Sequence, residues 1–161
     1  MHSFIVDTNV LVVANGKYQK ASEDDVFKCQ NFLIDLRKKH LSVDSSELIF
    51  QEYFKNASRS GQPGIGDAFA KWLWYNQWNP SICEQVTITP HPEREFLEFP
   101  EEENLKDFDR DDRKFVAVAV SSKFEAIICN ATDTDWWDYR EAFEKVGIKI
   151  KNLCPELFQR K

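Results

Sequence analysis

Short apolar runs of strand character alternate with stretches of helical periodicity along this chain. That alternation restricts the fold more than any other feature. Phe4-Ile5-Val6 is a continuous apolar run ending at Asp7 and reads as a buried strand. Val10-Leu11-Val12-Val13 then starts a helix that Asn15-Gly16 ends. From Glu23 to His40, Val26, Cys29, Leu33 and Leu36 recur at helical spacing. Acids come first in that stretch and Arg37-Lys38-Lys39 last, the order that suits a helix dipole. Leu41-Ser42-Val43 is a strand candidate. Asp44-Ser45-Ser46-Glu47 resembles a capping box, with Asp44 as N-cap, opening a helix to about Arg59.

Gly61-Gln62-Pro63-Gly64 breaks that pattern, and a further helix carries Phe69, Trp72, Leu73 and Trp78. Gln85 to Thr89 alternates as a strand does. Residues 93–110 are acidic and contain proline, which predicts a long surface loop. Phe115 to Val120 alternates like a strand, yet its alanines and the acids from Asp109 to Asp112 favour a buried helix, which is the reading adopted. Glu125 to Cys129 is a strand, Asp133-Thr134-Asp135 a loop, Asp138 to Val146 a helix and Ile148 to Leu153 a last strand. Strands alternating with helices imply an α/β fold, a three-layer α/β/α sandwich with a mainly parallel sheet. With 161 residues and neither repeat nor linker, residues 1–161 read as a single domain.

Composition removes several function classes. The 13 Phe, 5 Trp and 4 Tyr exclude a disordered chain. No apolar run reaches the length of a membrane span, and Met1 to Asp7 lacks the cationic start of a signal peptide. The expectation is a cytoplasmic protein without a membrane partner. The net charge of −6 argues against passive electrostatic binding of nucleic acid. It does not argue against a phosphate-processing enzyme whose carboxylates carry cations. Cys29, Cys83, Cys129 and Cys154 are widely spaced and form no zinc pattern with His2, His40 and His91.

The acids carry the chemistry. Ligands of an open α/β sheet gather at the carboxyl ends of its strands. Asp7 ends the first strand, Asp111 and Asp112 open a helix, and Asp133 and Asp135 follow a strand. Glu52 lies on a helix at the edge of its apolar arc. Each acid also has an ordinary structural role open to it, as a helix cap, a dipole-compensating residue or a solvated turn. If four or five of them met, they would repel each other unless hard divalent cations neutralised them.

Val6-Asp7-Thr8-Asn9, Glu52, Asp112 in D-D-R-K-F-V-A-V-A, and Asp133-Thr134-Asp135 together resemble the PIN-domain (PilT N-terminus type) ribonuclease family. The resemblance spans residues 4 to about 153. It implies a parallel sheet ordered 3-2-1-4-5 and a divalent-metal-dependent endonuclease that cuts single-stranded RNA, leaving 5′-phosphate and 3′-hydroxyl ends. Asp7, Glu52, Asp112 and Asp133 match the family's catalytic, metal-binding quartet. Asp135 is a fifth candidate ligand and Asn9 a polar support for Asp7. The implied cofactor is Mg²⁺ or Mn²⁺, one ion or two, with Asp7 the candidate bridge. Asp111 competes for the third position; Asp112 is preferred because Phe115 and Val116 follow three and four residues on. Many relatives are toxins restrained by an antitoxin partner, and many form homodimers.

Trp72, Trp74, Tyr75 and Trp78 cannot share one helix face, so core and partner surface is the simpler reading. Trp136-Trp137 adjoin the acids and are better placed to stack on an unpaired base. Lys55, Arg59, Lys71, Arg110, Arg113 and Lys114 are candidates for backbone phosphates or ordinary solvated surface. Two other readings stand beside the nuclease. A phosphatase of the haloacid-dehalogenase type needs a second Asp two residues after the first, where this chain has Asn9. A catalytically silent PIN scaffold would act as a protein-binding module.

Overall fold

The structure is a computed structural model that describes residues 1–159. The chain runs β1 (His2–Val6), α1 (Thr8–Ala14), α2 (Glu23–Leu36), β2 (Leu41–Asp44), α3 (Leu48–Asn56), α4 (Ile65–Asn76) and β3 (Cys83–Val86). A two-stranded hairpin follows, β4 (Pro90–His91) and β5 (Glu95–Phe96). Then come 3₁₀ turns at Glu103–Leu105 and Arg110–Asp112, α5 (Arg113–Ser121), β6 (Glu125–Asn130), α6 (Thr134–Asp138), α7 (Arg140–Lys145), β7 (Lys149–Asn152) and α8 (Glu156–Gln159). The main sheet has five strands in the order β3-β2-β1-β6-β7, every pair parallel. With the hairpin left out of the count, this is the expected 3-2-1-4-5 order between helical layers.

Packing explains the layers. α1, α2 and α4 lie against one another, and α5 crosses β1, β2 and β6. Gly66 permits the close approach of α4 to α1, since a Cβ there would come within 2.3 Å of the Leu11 carbonyl oxygen. α5 contributes Phe115, Val116, Ala117 and Val118 to the core, so the ambiguous stretch is the buried helix that its acidic entry suggested. Among the described residues, no helix is long and apolar enough to cross a membrane.

Several boundaries differ from the sequence reading. α2 stops at Leu36, because the chain turns through Arg37–Lys39 to bring His40 beneath β1, where its Nδ1 lies 2.9 Å from the Ser3 hydroxyl. The third strand is Cys83–Val86, not Gln85–Thr89, since pairing with β2 sets its register at Leu41↔Cys83. α3 ends at Asn56. The expected capping box is also absent: Glu47 adopts a left-handed backbone (φ 66°) and caps nothing with its side chain. Asp44 alone does that work, accepting from the N–H groups of Leu48 (2.8 Å) and Ile49 (2.9 Å).

The segment over residues 93–110 is not a solvated loop. It buries Phe96, Phe99, Leu105 and Phe108. The Phe108 ring meets those of Trp136, Tyr139 and Phe143 at centroid distances of 4.9, 5.3 and 4.9 Å. Arg113 straps the segment down. Its buried guanidinium donates to the carbonyls of Phe108, Lys106 and Arg94 and lies over the Phe99 ring. Arg113 is therefore a structural strut and not a phosphate contact.

Candidate metal centre

The register of the two central strands builds the site. β1 pairs with β6 so that Val6 lies opposite Cys129, and the two strands end side by side. Asp7 leaves the end of β1, and Asp133 follows β6 after the short turn 131–132. The 3₁₀ turn Arg110–Asp112 opens α5, which lies across both strands and carries Asp112 to the same edge. One oxygen from each of Asp7, Asp112 and Asp133 lies within 4.8 Å of the other two.

Each of the three stands at the N-cap of a helix. Asp7 accepts from the Asn9 N–H (3.1 Å) at the start of α1, and Asp133 from the Asp135 N–H (2.8 Å) at the start of α6. Asp112 precedes α5 but makes no capping hydrogen bond with its side chain. The capping roles open to these acids are thus real for two of them, and they aim the carboxyl groups at one point rather than outward. Asp133-Thr134-Asp135, expected as a loop, is the first turn of α6 with its cap.

Burial raises the proton affinity of Asp7 and Asp112. Burial pushes Asp7 up from 3.8 to about 7; hydrogen bonds from Trp136 and Asn9 oppose this, and the charges of Glu52 and Asp133 add to it. Burial also pushes Asp112 up to about 10, helped by the Asp7 charge, a hydrogen bond to Asp133 and the Asp133 and Asp109 charges. Without a cation, burial and the Asp7 charge favour the protonated form of Asp112. A hard divalent ion would replace that proton and satisfy the same oxygens, so these residues fit Mg²⁺ or Mn²⁺.

The other predicted ligands behave differently. Glu52, on α3, is near enough for its charge to be felt by Asp7, but both of its oxygens are engaged. Oε2 accepts from the Thr8 hydroxyl, and Oε1 pairs with the Lys114 ammonium at 2.7 Å. Asp135 stays outside the three-acid group. Its pKa is raised by partial burial and then by Asp133, Asp109 and Asp138. Asp111 is exposed, and it is Asp112 that joins the cluster.

Asn9 supports the site through the opposite strand. Its side chain donates to Asn130 Oδ1 (2.9 Å) and accepts from the Ala131 N–H (2.8 Å). Asn130 in turn accepts from the Asp133 N–H (3.0 Å) and donates to the Asp133 carbonyl (2.9 Å). The two asparagines therefore tie the turn after β1 to the turn after β6. Asn130 escapes a reading by spacing, and so do the bonds of Thr8 and Lys114 to Glu52, since nothing local marks those partners.

Trp136 requires a correction. It is fully buried and cannot stack on a base; its indole N–H donates to Asp7 Oδ2 at 2.7 Å. Trp137 is half-buried, stacked on Phe158 (5.2 Å) and covered by the Arg140 guanidinium (3.9 Å). In α4, Trp74 packs on Phe50 and Phe54 and Tyr75 is exposed; Trp78, expected on this helix, lies past its end at Asn76 and is also exposed. On the Glu52 side opens a cavity of about 400 Å³ whose charged lining is Lys55, Arg110 and Lys114 with Glu52, Glu95 and Asp111; Asp7, Asp112 and Asp133 do not line it. No protein-family model, no curated protein and no solved structure matches the chain.

Proposed function

We propose that the protein is a divalent-metal-dependent endoribonuclease of PIN type, hydrolysing phosphodiester bonds of single-stranded RNA. The observation that carries this reading is the convergence of Asp7, Asp112 and Asp133 at the carboxyl edge of a parallel sheet, with Asp7 and Asp112 held at raised pKa. These three would hold Mg²⁺ or Mn²⁺, with Glu52 and Asp135 at the margin. When bound, such an ion lowers the pKa of a water and neutralises charge developing on the phosphate.

The chain's own residues supply the rest. Trp136 and Asn9 fix the orientation of Asp7. Lys55, Arg110 and Lys114 line the cavity on the Glu52 side together with Glu52, Glu95 and Asp111; Arg110 and Lys114 are paired with Glu95 and Glu52, and Lys55, which makes no ion pair among the described residues, is the clearest cation for an RNA backbone phosphate. Among the described residues, no histidine joins the acid cluster to serve as a general base. The proposal carries a cytoplasmic location with it. A restraining antitoxin or a homodimer would follow from membership of the toxin branch of such enzymes.

The test is cleavage of a mixed single-stranded RNA pool with Mn²⁺, wild type against Asp7→Asn. Loss of a ligand charge should reduce cleavage by about 100-fold or more. Absence of Mn²⁺ stimulation, or an Asp7→Asn variant within about tenfold of wild type, would overturn the reading. The exposed Tyr75 and Trp78 favour one second reading, a silent scaffold that binds protein. A scaffold would show no metal-stimulated cleavage in the same assay.

A further inference from the structure

We infer that Lys114 takes the place of a second divalent ion, so that the carboxylate cluster holds one Mg²⁺ or Mn²⁺ and not two. This inference rests on the metal-site reading above and concerns how many cations that site accepts.

The argument starts from Glu52. A fourth carboxylate beside Asp7, Asp112 and Asp133 is what a second ion would use. Glu52 stands just outside the three-acid group but on its flank, bonded to Thr8, which follows Asp7 in sequence, and to Lys114, two residues after Asp112. Both oxygens are already engaged, however, one by the Thr8 hydroxyl and one by the Lys114 ammonium. The ion pair is not a solvated surface contact. The side chains of Lys114 and Glu52 are 14% and 25% exposed, and the ammonium also donates to the Asp111 carbonyl at 2.6 Å. Asp111 immediately precedes Asp112, so the bond fixes the ammonium to the turn that delivers a cluster ligand.

Charge points the same way. Asp7, Glu52, Asp112 and Asp133 carry four negative charges when all are ionised. A resident ammonium cancels one of them, and a single divalent ion cancels two more. A second divalent ion would have to expel a cation that is held by two oxygen acceptors in a partly buried place, where like-charge repulsion is weakly screened. Lysine offers three N–H donors. Glu52 and Asp111 take two, and among the described residues no third hydrogen-bond acceptor is present, so the third donor would serve a phosphate oxygen in the cavity that Lys114 lines. The lysine thus stands as a fixed positive charge on the Glu52 side of the cluster.

The experiment counts ions and does not depend on cleavage. Bound Mn²⁺ is measured by calorimetry and by the loss of the free-ion electron-spin-resonance signal, at pH 8, for wild type, Lys114→Met and Lys114→Arg. Circular dichroism and a thermal melt confirm that each is folded, and Lys114→Gln replaces Lys114→Met if the latter does not fold. The expected result is one tight ion for wild type and Lys114→Arg, and two for Lys114→Met. Two ions in wild type, or one in both wild type and Lys114→Met, would overturn the inference while leaving the metal site standing. No bound ion in wild type would overturn the metal-site reading and the inference together.

Discussion

The indole N–H of Trp136 donates to Oδ2 of Asp7 at 2.7 Å, joining the core of α6 to the end of β1 across 129 positions of sequence. The bond favours the ionised carboxylate, against the burial that disfavours it. Asp7 is therefore held in one orientation, by its other oxygen on Asn9 and by this one on the indole. In metal sites, partners of this kind typically change affinity by about 10–100-fold.

Trp136→Phe keeps an aromatic ring among Phe108, Phe115 and Phe143 but removes the donor. Mn²⁺ affinity should fall about tenfold or more, and stability by about 1–3 kcal/mol from the smaller ring and the lost bond. Calorimetric titration reads the first effect and urea unfolding the second. Placed on Asp7→Asn, the same substitution should cost no further affinity. Unchanged affinity in the single variant would mean that the indole bond does not tune the site.

Stability of the metal-free protein should fall as pH rises through the neutral range. Asp7 and Asp112 have folded-state pKa values raised from 3.8 to about 7 and about 10. Between those limits the folded protein binds more protons than the unfolded chain, so the slope of stability against pH is negative. The contribution is intact below about pH 4 and is lost as pH passes the folded-state values. Urea unfolding from pH 5 to 9 checks this as a difference between proteins: Asp7→Asn and Asp112→Asn should lose less stability over the range than wild type. Parallel curves for all three would contradict the buried-carboxyl picture.

Divalent ions should reverse that trend, since they bind the deprotonated ligands and release protons. Mn²⁺ should raise the melting temperature of wild type more at pH 8 than at pH 6. At a hundredfold excess over the dissociation constant the gain is about 2.7 kcal/mol. Asp7→Asn should show a much smaller shift, and Na⁺ at equal ionic strength almost none. Equal Mn²⁺ shifts in wild type and Asp7→Asn would place the ion elsewhere.

The entry to α3 separates structure from chemistry. Asp44 is fully buried and caps two backbone N–H groups, so Asp44→Ala should cost about 1–2 kcal/mol. Glu47 occupies a left-handed backbone without a capping bond, so Glu47→Gly should be neutral or stabilise by up to about 1 kcal/mol. Neither side chain lies in the three-acid group, and Mn²⁺ affinity should stay within about threefold in both. A Glu47→Gly variant clearly less stable than wild type would show that this glutamate has a role its geometry does not display.

The alternating strand and helix patterns determined the fold class without any tertiary information. Val6-Asp7, the acids before Phe115 and the acids after Cys129 were legible as strand ends and helix starts, because caps and periodicity are set by neighbours within about four residues. Meeting in space is a different matter. Only the parallel register of β1 with β6, and α5 lying across them, decided that Asp7, Asp112 and Asp133 share one point and that Asp111 does not. The same holds for Glu52, whose helix position was readable but whose oxygens are claimed by Thr8, 44 residues before it, and Lys114, 62 after. It holds too for Trp136, which lay beside the acids in sequence as an apparent stacking surface and turned inward once Phe108 and Phe143 closed over it. The partners of a buried polar group come from whatever the packing of distant elements brings within 3 Å, and no local rule of spacing encodes that choice.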